Sequence, residues 1–561
     1  MTSRALARQP DPGAQQEHVQ EIDPIALQIQ WSRLVSIMEE VDIALVRTSF
    51  STIVGESRDF AVILLDAQAR SIAQSEMSSP AFTCSLPGMT RTLLKEFPPE
   101  TLAPGDVLIT NDPWLCHGHL PDICLVVPIF GRSGPVAYIA MAAHVSDIGG
   151  RMDEFDSRDL YEEGLQIPPA KLYEGGKRNA LLYRIIETNI RFSTEVIGDI
   201  EAMVGAARIG SARYADLIAD YGEPALALLA STILTRSEEA MRRAIGRIPA
   251  GRYGCDITVD GYNSPNRIVT GIEARGDSLH VDFSGTDPQR TDGAVNCVMN
   301  VTHAEVLLAL KSSLTTEIPN NEGLFAPITS FAPEGCILNA TRPAPVKSRT
   351  MTSIGITQTI FGALAQVLPE SVQAGSASFF SVKCRGSYAD GERFGVYMLP
   401  AGGRGASLGT DGAAATPFPS NGMITPVEIF ENRSPVLFLE RSMKTDSGGA
   451  GEFRGGLAQT IRLTVLGDET ALVTLRPDKV KYPAKGLLGG ADGAPGRVTL
   501  DGQPVPIKPL VLARGQELRL DLPGGAGFGD PRKRDRSLVK QDLDLGLISP
   551  EVARNDYGYE E

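Results

Sequence analysis

Residues 123–144 read ICLVVPIFGRSGPVAYIAMAAH. Two apolar runs, ICLVVPIF (123–130) and PVAYIAMA (135–142), flank the turn residues GRSG (131–134), the pattern of two buried strands folded into a hairpin. Pairing Phe130 with Pro135 sets a register in which Asp122 faces Ala143 and Pro121 faces His144. His119, Asp122 and His144 then gather at one end of the hairpin, although the two histidines are far apart in the chain. The hairpin and what lies beside it argue for a mixed α/β (α+β) chain of several domains.

Upstream, apolar residues from Ile25 through Leu34, Val35, Met38 and Val41 to Leu45 recur near helical spacing behind the start signal Asp23-Pro24, predicting a long first helix. FAVILLD (60–66) then reads as a buried strand, DAQAR as its turn and SIAQ as a return strand. Helical patterning returns over 184–245. Between 251 and 399, strands such as GDSLHVDFSG alternate with helices such as THAEVLLALKSSL and GITQTIFGALAQVL. Residues 400–531 are dense in glycine, in AGGRGASLGTDG, DSGGAGEFRGGLAQ, GLLGGADGAPG and PGGAGFGDP, separated by alternating stretches such as TIRLTVLGD. We divide the chain into a polar leader (1–20), an N-terminal α/β unit (21–250), a central mixed unit (251–399), a glycine-rich β unit (400–531) and a charged, helix-like tail (532–561). The glycines are read as tight turns needing positive φ. None has the GxxxxGK[ST] form, and no GxGxxG stands between a strand and a helix, so no nucleotide phosphate loop is expected.

A chain of 561 residues with 42% hydrophobic and 22% charged residues has the balance of a folded protein with more than one core. Its formal charge of −15 argues against nucleic acid or an anionic membrane as partner, since either would want a Lys/Arg-rich face. The seven cysteines include no CxxC pair and are read as reduced thiols. No apolar run reaches the length of a signal peptide or a membrane span. The expected compartment is the cytoplasm.

Three of the six histidines fall in NDPWLCHGHLPDI (111–123) and AAHVSDIGG. Neutral imidazoles hold a cation without cancelling its charge, and a carboxylate anchors it. His119, Asp122 and His144 therefore suit a divalent-metal triad; polar punctuation at strand ends is the competing reading. Asp59, in GESRDFAVILL, either leans into the same pocket as a further ligand, or caps a turn or pairs with Arg58. His117 is either a pocket residue or a solvated loop histidine. Trp114 is either a pocket wall or ordinary packing, and Asp147 either orients His144 or starts a turn. His280 and His303 have no companions. No defined Cys/His pair is present.

The chain resembles the hydantoinase B family: the smaller subunit of ATP-dependent N-methylhydantoinases, the C-terminal half of 5-oxoprolinase, and ketone carboxylase subunits. Ordered motifs carry the resemblance along almost the whole length: ESRDFAVILLD, GDVLITNDPW with GHLPDI, AAHVSDIGG, YEEGLQIPPAKLY, VDFSGTDPQRTDGAVNC, IPNNEGLFAPI, ITPVEIFE, DSGGAGEFRGGLAQ and PGGAGFGDP. The resemblance implies one divalent metal, zinc, manganese or iron, on His119, Asp122 and His144, with Asp59 a candidate fourth ligand. It implies a hetero-oligomer with a hydantoinase A-type subunit that carries the ATP and magnesium and phosphorylates a carbonyl-derived oxygen. Asp147 and Glu163 are candidate proton relays, and Trp114 and His117 candidate substrate contacts. The expected reaction is hydrolysis of an activated amide or cyclic imide. The alternative is an ATP-dependent ketone carboxylase joining an enol phosphate to carbon dioxide. A non-enzymatic assembly subunit is a third class, disfavoured by the intact triad. Where many hydrolases of the family carry HxPVHxGSM, this chain has SSPAFTCSLPGM (78–89), and Val145 stands where a second histidine often follows the first. These departures put the usual hydantoin or oxoproline substrate in question.

Overall fold

Asp23 caps the first helix: its carboxylate accepts from the amides of Ile25 and Ala26, and Pro24 takes the first helical position. The computed structural model describes residues 22–151, 155–388, 390–506 and 508–560; the leader expected over 1–20, with His18, lies outside them. Helix α1 (Pro24–Thr48) buries Leu34, Met38, Val41 and Leu45, one stripe at three- and four-residue spacing. The short α2 (Thr52–Gly55) leads into a seven-stranded sheet ordered β2-β1-β5-β4-β3-β6-β7. Its strands are β1 (Phe60–Asp66), β2 (Ser71–Gln74), β3 (Val107–Thr110), β4 (Asp122–Phe130), β5 (Pro135–His144), β6 (Ala170–Glu174) and β7 (Lys177–Arg178). Helix α3 (Pro80–Glu96) covers one face, and α1 and α5 (Ser193–Tyr221) cover the other, with α4 (Ala180–Asn189) and α6 (Glu223–Ile245) packed around them.

Strand periodicity sorts the side chains. Phe60, Val62, Leu64, Ile139 and Met141 lie in the core beneath α1 and α5. Ala61, Ile63, Leu65, Tyr138, Ala140 and Ala142 lie in a second core with Phe82, Leu86, Met89 and Leu93 of α3. With both faces covered, FAVILLD and ICLVVPIF carry no polar alternation.

The hairpin forms as expected, but its register differs by one residue. Phe130 pairs with Pro135, as expected, and a bulge follows, so that Ile129 pairs with Ala137 and Asp122 with His144 rather than Ala143. The correction matters because directly opposed residues share a face and a one-residue slip reverses it. The expected register would have turned Asp122 and His144 to opposite faces; the bulge turns them to the same one.

A second sheet, ordered β11-β10-β9-β8, combines β8 (Gly251–Val259), β9 (Asn266–Arg275), β10 (Ser278–Asp282) and β11 (Ile328–Phe331). Helices α7 (Met299–Leu314) and α8 (Thr350–Leu364) pack together, and α8 lies on β8 and β9. The C-terminal third holds two sheets. One is β13 (Arg393–Met398), β12 (Ser381–Ser387), β16 (Thr470–Arg476) and β19 (Leu510–Ala513). The other is β14 (Val436–Met443), β15 (Gln459–Val465), β20 (Leu518–Asp521), β17 (Arg497–Leu500) and β18 (Gln503–Pro504). Helices α9 (Val427–Asn432), α10 (Arg536–Asp544) and α11 (Pro550–Asn555) complete the chain. Arg534 and Arg454, both buried, bind Asp542 of α10 and tie the tail down.

The glycine-rich segments are not mainly turns. Gly403, Gly455, Gly493, Gly524 and Gly525 have no positive φ, yet a methyl group at any of them would stand 1.6–2.1 Å from a neighbouring segment's carbonyl oxygen. At Gly524 the obstacle is the Ser447 carbonyl oxygen, 1.6 Å away. Extended segments hydrogen-bond across one another, Gly525 N–H to the Gly456 carbonyl and Gly449 N–H to that of Gly525. Glycine is used here because backbones pack where side chains would stand, as on the crowded axis of collagen.

Candidate metal centre

Strand order builds the site. Because β5 lies between β1 and β4, the residue before β1, the first residue of β4 and the last of β5 meet at one sheet end. These are Asp59, Asp122 and His144, and the His144 N–H donates to the Asp59 carbonyl at 3.0 Å. Period two places Asp59, Asp122 and His144 on the α3 side, with Ala61, Cys124 and Ala142. His119 reaches them from the preceding loop.

Three ligand-type atoms converge. His119 Nε2 lies 2.7 Å from Asp122 Oδ1 and 3.1 Å from His144 Nδ1, and the last two are 3.2 Å apart. All three residues are buried. His119 Nδ1 sits 2.9 Å from the Lys347 carbonyl, which accepts only, so that nitrogen carries the proton and Nε2 presents a lone pair. The second carboxylate oxygen of Asp122 accepts from Arg349 Nη2 at 2.8 Å, so Oδ1 is the one turned to the histidines. Burial lowers His119 well below the usual imidazole range and His144 to about 3. Two neutral imidazoles and a carboxylate oxygen therefore face one another, a donor set that fits a divalent cation. Asp59 Oδ2 stands 3.9 Å from His144 Nδ1, and burial, then the charge of Asp122, raises its carboxyl to about 7. A cation among these atoms would reverse that shift.

The centre opens on a narrow cavity of about 60 Å³. Asp59, His117, His119, Asp122 and His144 all line it, with Glu305, Arg349, Arg476 and the aromatic residues Phe82, Phe379 and Tyr397. His117 is buried and meets the edge of Phe82 at 4.6 Å; it is no solvated loop histidine. Burial holds it well below the usual imidazole range. Ser79, Ala81 and Phe82, from the segment that departs from the family pattern, form part of the wall.

Trp114, Asp147 and Glu163 are not among the lining residues. Trp114 donates from Nε1 to the Ala340 carbonyl and lies beneath the Arg342 guanidinium. Asp147 accepts from the backbone and side chain of Arg191, so it braces the loop after β5 rather than His144. Glu163 is buried and accepts from the amides of Val346 and Lys347 through one oxygen. It thereby holds the segment whose Lys347 carbonyl orients His119.

Arg349, Glu305, Arg476 and Tyr397 had no signal in the sequence. Tyr397 stacks on His144 at 6.0 Å with the rings 7° apart. Arg349 reaches Asp122 past Gly118, whose φ is +84 and whose missing methyl would stand 2.8 Å from Arg349 Cδ. The glycine of HGH is the one clue, and it names no partner.

Fold and donor set define a mixed α/β protein with a candidate metal centre at one sheet end. The family model described as hydantoinase B/oxoprolinase matches residues 23–531, and the chain belongs to this family. It is 30% identical to a protein assigned as the B subunit of a D-/L-hydantoinase in Pseudomonas sp. strain NS671, over 96% of this chain and 95% of the other. It is 29% identical to the beta subunit of the caprolactamase of Pseudomonas jessenii, over 96% of both. The solved ATP-dependent caprolactamase of that organism superposes with a TM-score of 0.87, covering 96% of each chain at 28% identity. Nucleotide-free acetone carboxylase shares the fold, with a TM-score of 0.86 at 18% identity over 96% of this chain and 79% of the other. Among the described residues no single helix is long and apolar enough to cross a membrane; α5 and α6 reach that composition only as a pair bent by 107°.

Proposed function

We propose that this chain is the metal-holding subunit of an ATP-dependent hydrolase of cyclic amides or imides, working with a hydantoinase A-type subunit. That partner binds ATP and magnesium and phosphorylates the carbonyl oxygen of the substrate. The observation that carries the reading is the mutual approach, at 2.7–3.2 Å, of His119 Nε2, Asp122 Oδ1 and His144 Nδ1, joined to the chain's likeness to one of the subunits of a caprolactamase. Zinc, manganese and iron all suit such a set. When bound, the ion would supply Lewis acidity for a carbonyl and a lowered pKa for water.

The chain's own residues do the rest. His119, Asp122 and His144, with Asp59 beside them, hold the ion in the N-terminal unit. Lys347 and Arg349 fix the ring and carboxylate orientations, an outer layer that sets ligand direction. Phe82, Phe379 and Tyr397 exclude bulk water, which strengthens every charge interaction inside. Glu163 serves this site as a positioning residue, through Lys347, whereas Asp147 braces the loop after β5 through Arg191.

Ketone carboxylation is the second reading, and the apolar wall of Ala81 and Phe82 is the observation on its side. Co-expression with the ATP-binding partner separates the two. Turnover of a lactam with ATP and without bicarbonate supports hydrolysis. ATP consumption that requires bicarbonate and a ketone, with no lactam turnover, overturns it.

A further inference from the structure

The cavity lining carries more unpaired donor capacity than three metal ligands explain. Arg349 is 3% exposed and spends only Nη2 on Asp122; Nε and Nη1 are buried without a partner. Thr350 follows it as the first residue of α8, a 15-residue helix with no side-chain cap, and its buried hydroxyl also lacks a partner. Arg476, 7% exposed, lines the same cavity from the end of β16, and its guanidinium lies 5.4 Å above the Phe379 ring. No carboxylate lies within ion-pair distance of Arg476 among the described residues.

Leaving a buried donor unsatisfied costs about 1–3 kcal/mol, and more for a charged one, so orphaned guanidinium nitrogens at a cavity signal a missing acceptor. The start of α8 adds the positive end of a helix dipole. Glu305, a further carboxyl on this wall, accepts from the Ser353 hydroxyl at 3.2 Å and makes no hydrogen bond to either arginine among the described residues.

We infer that Arg349, Thr350 and Arg476 form an anion subsite that receives the phosphoryl oxygens of the activated substrate beside the metal centre. The inference rests on the reading that the substrate arrives phosphorylated, and it deepens that reading by assigning the groups that would recognise it. Two guanidinium groups and a hydroxyl, from two elements that line one cavity, offer more donors than the two oxygens of a carboxylate take up and suit the three oxygens of a phosphoryl group. They would orient the scissile carbon toward His119, Asp122 and His144.

Calorimetric titration of inorganic phosphate into the full-length chain, with metal content checked in every sample, tests this. Arg476→Gln should weaken phosphate binding about tenfold, as loss of one charge-assisted hydrogen bond does. Thr350→Val, nearly isosteric, should weaken it about fivefold for loss of a neutral one. Acetate should bind much more weakly than phosphate. Phosphate affinity unchanged in both variants, at unchanged metal content, overturns the subsite, and so does acetate binding as tightly as phosphate. If Arg476→Gln does not fold, Thr350→Val decides alone. Lactam turnover with the A-type partner is scored separately. Turnover with phosphate binding indifferent to both variants overturns the subsite and leaves the hydrolase reading standing. Phosphate binding sensitive to both, without lactam turnover, overturns only the hydrolase reading.

Discussion

Arg349 donates to Asp122 across 227 residues of sequence, Nη2 to Oδ2 at 2.8 Å, with both side chains buried. This ion pair joins the start of α8 to the first residue of β4, and it decides which oxygen of Asp122 is turned to His119 and His144. Breaking a buried pair from one side leaves an uncompensated charge and costs about 3–5 kcal/mol. Asp122→Asn should therefore lower the unfolding midpoint and abolish stoichiometric metal. Elemental analysis and thermal denaturation read the two effects; an Asn variant with full metal and wild-type stability would contradict the role given to Asp122.

His144→Ala removes a ligand atom without stranding a charge. The variant should fold, because the His144 ring has its close polar contacts within the centre, with His119 and Asp122, and it should purify with little metal. Elemental analysis of the folded variant is decisive: metal content equal to wild type would sink the triad.

Glu163 predicts a pH dependence of stability. Burial, as the largest cause, raises its folded pKa from 4.5 to about 8. Between those values the folded chain holds a proton that the unfolded chain has released, so stability falls as pH rises from about 4.5 through 8. The contribution is fully present at the acid end of that window and lost at the alkaline end. Glu163→Gln keeps an acceptor for the amides of Val346 and Lys347 and removes the titration. Its melting point should decline less than the wild type's between pH 5 and 8, by about 2 °C or more; parallel melting curves across that range would remove Glu163 from the account.

The glycine-rich packing makes a sharp contrast. Gly524→Ala would drive a methyl group into the Ser447 carbonyl oxygen, and should cost more than about 4 kcal/mol or prevent folding. Gly205 lies in the interior of α5 with nothing within 4 Å of an added methyl, so Gly205→Ala should gain up to about 1 kcal/mol of helix propensity. Chemical denaturation of both variants checks the pair.

Phe82, not Trp114, should govern which rings the site accepts. Phe82 lines the cavity and touches His117, whereas Trp114 packs under Arg342 outside it. Phe82→Ala should admit larger lactams and shift relative kcat/KM values by about tenfold. Trp114→Ala should leave the ranking of substrates unchanged, as measured in the assembled enzyme.

Much of the architecture is legible in the sequence because buried elements announce themselves locally. FAVILLD, SIAQ and the 123–144 hairpin are strands as expected, Asp23-Pro24 begins α1, and THAEVLLALKSSL lies in α7. The hairpin register is not legible, since no residue type marks which neighbour of Phe130 a bulge will absorb. The glycines mislead for a related reason: a turn and a crowded backbone contact ask for the same residue, and only neighbouring segments distinguish them.

The candidate site divides along the same line. Spacing gathers His119, Asp122 and His144 at one end of the hairpin because hairpin pairing is local and the ligand types are scarce, but only the bulge turns Asp122 and His144 to one face. By itself the sequence determined the mixed α/β class, the hairpin, the donor set and the family resemblance. Tertiary structure alone decided that Asp59 comes beside them through the β1–β5 pairing, that Asp147 turns to Arg191, and that Arg349, Thr350 and Arg476 line one cavity. The physical reason is range. Helix and strand periodicity are written over a few residues, whereas a buried guanidinium finds its carboxylate through the packing of whole layers.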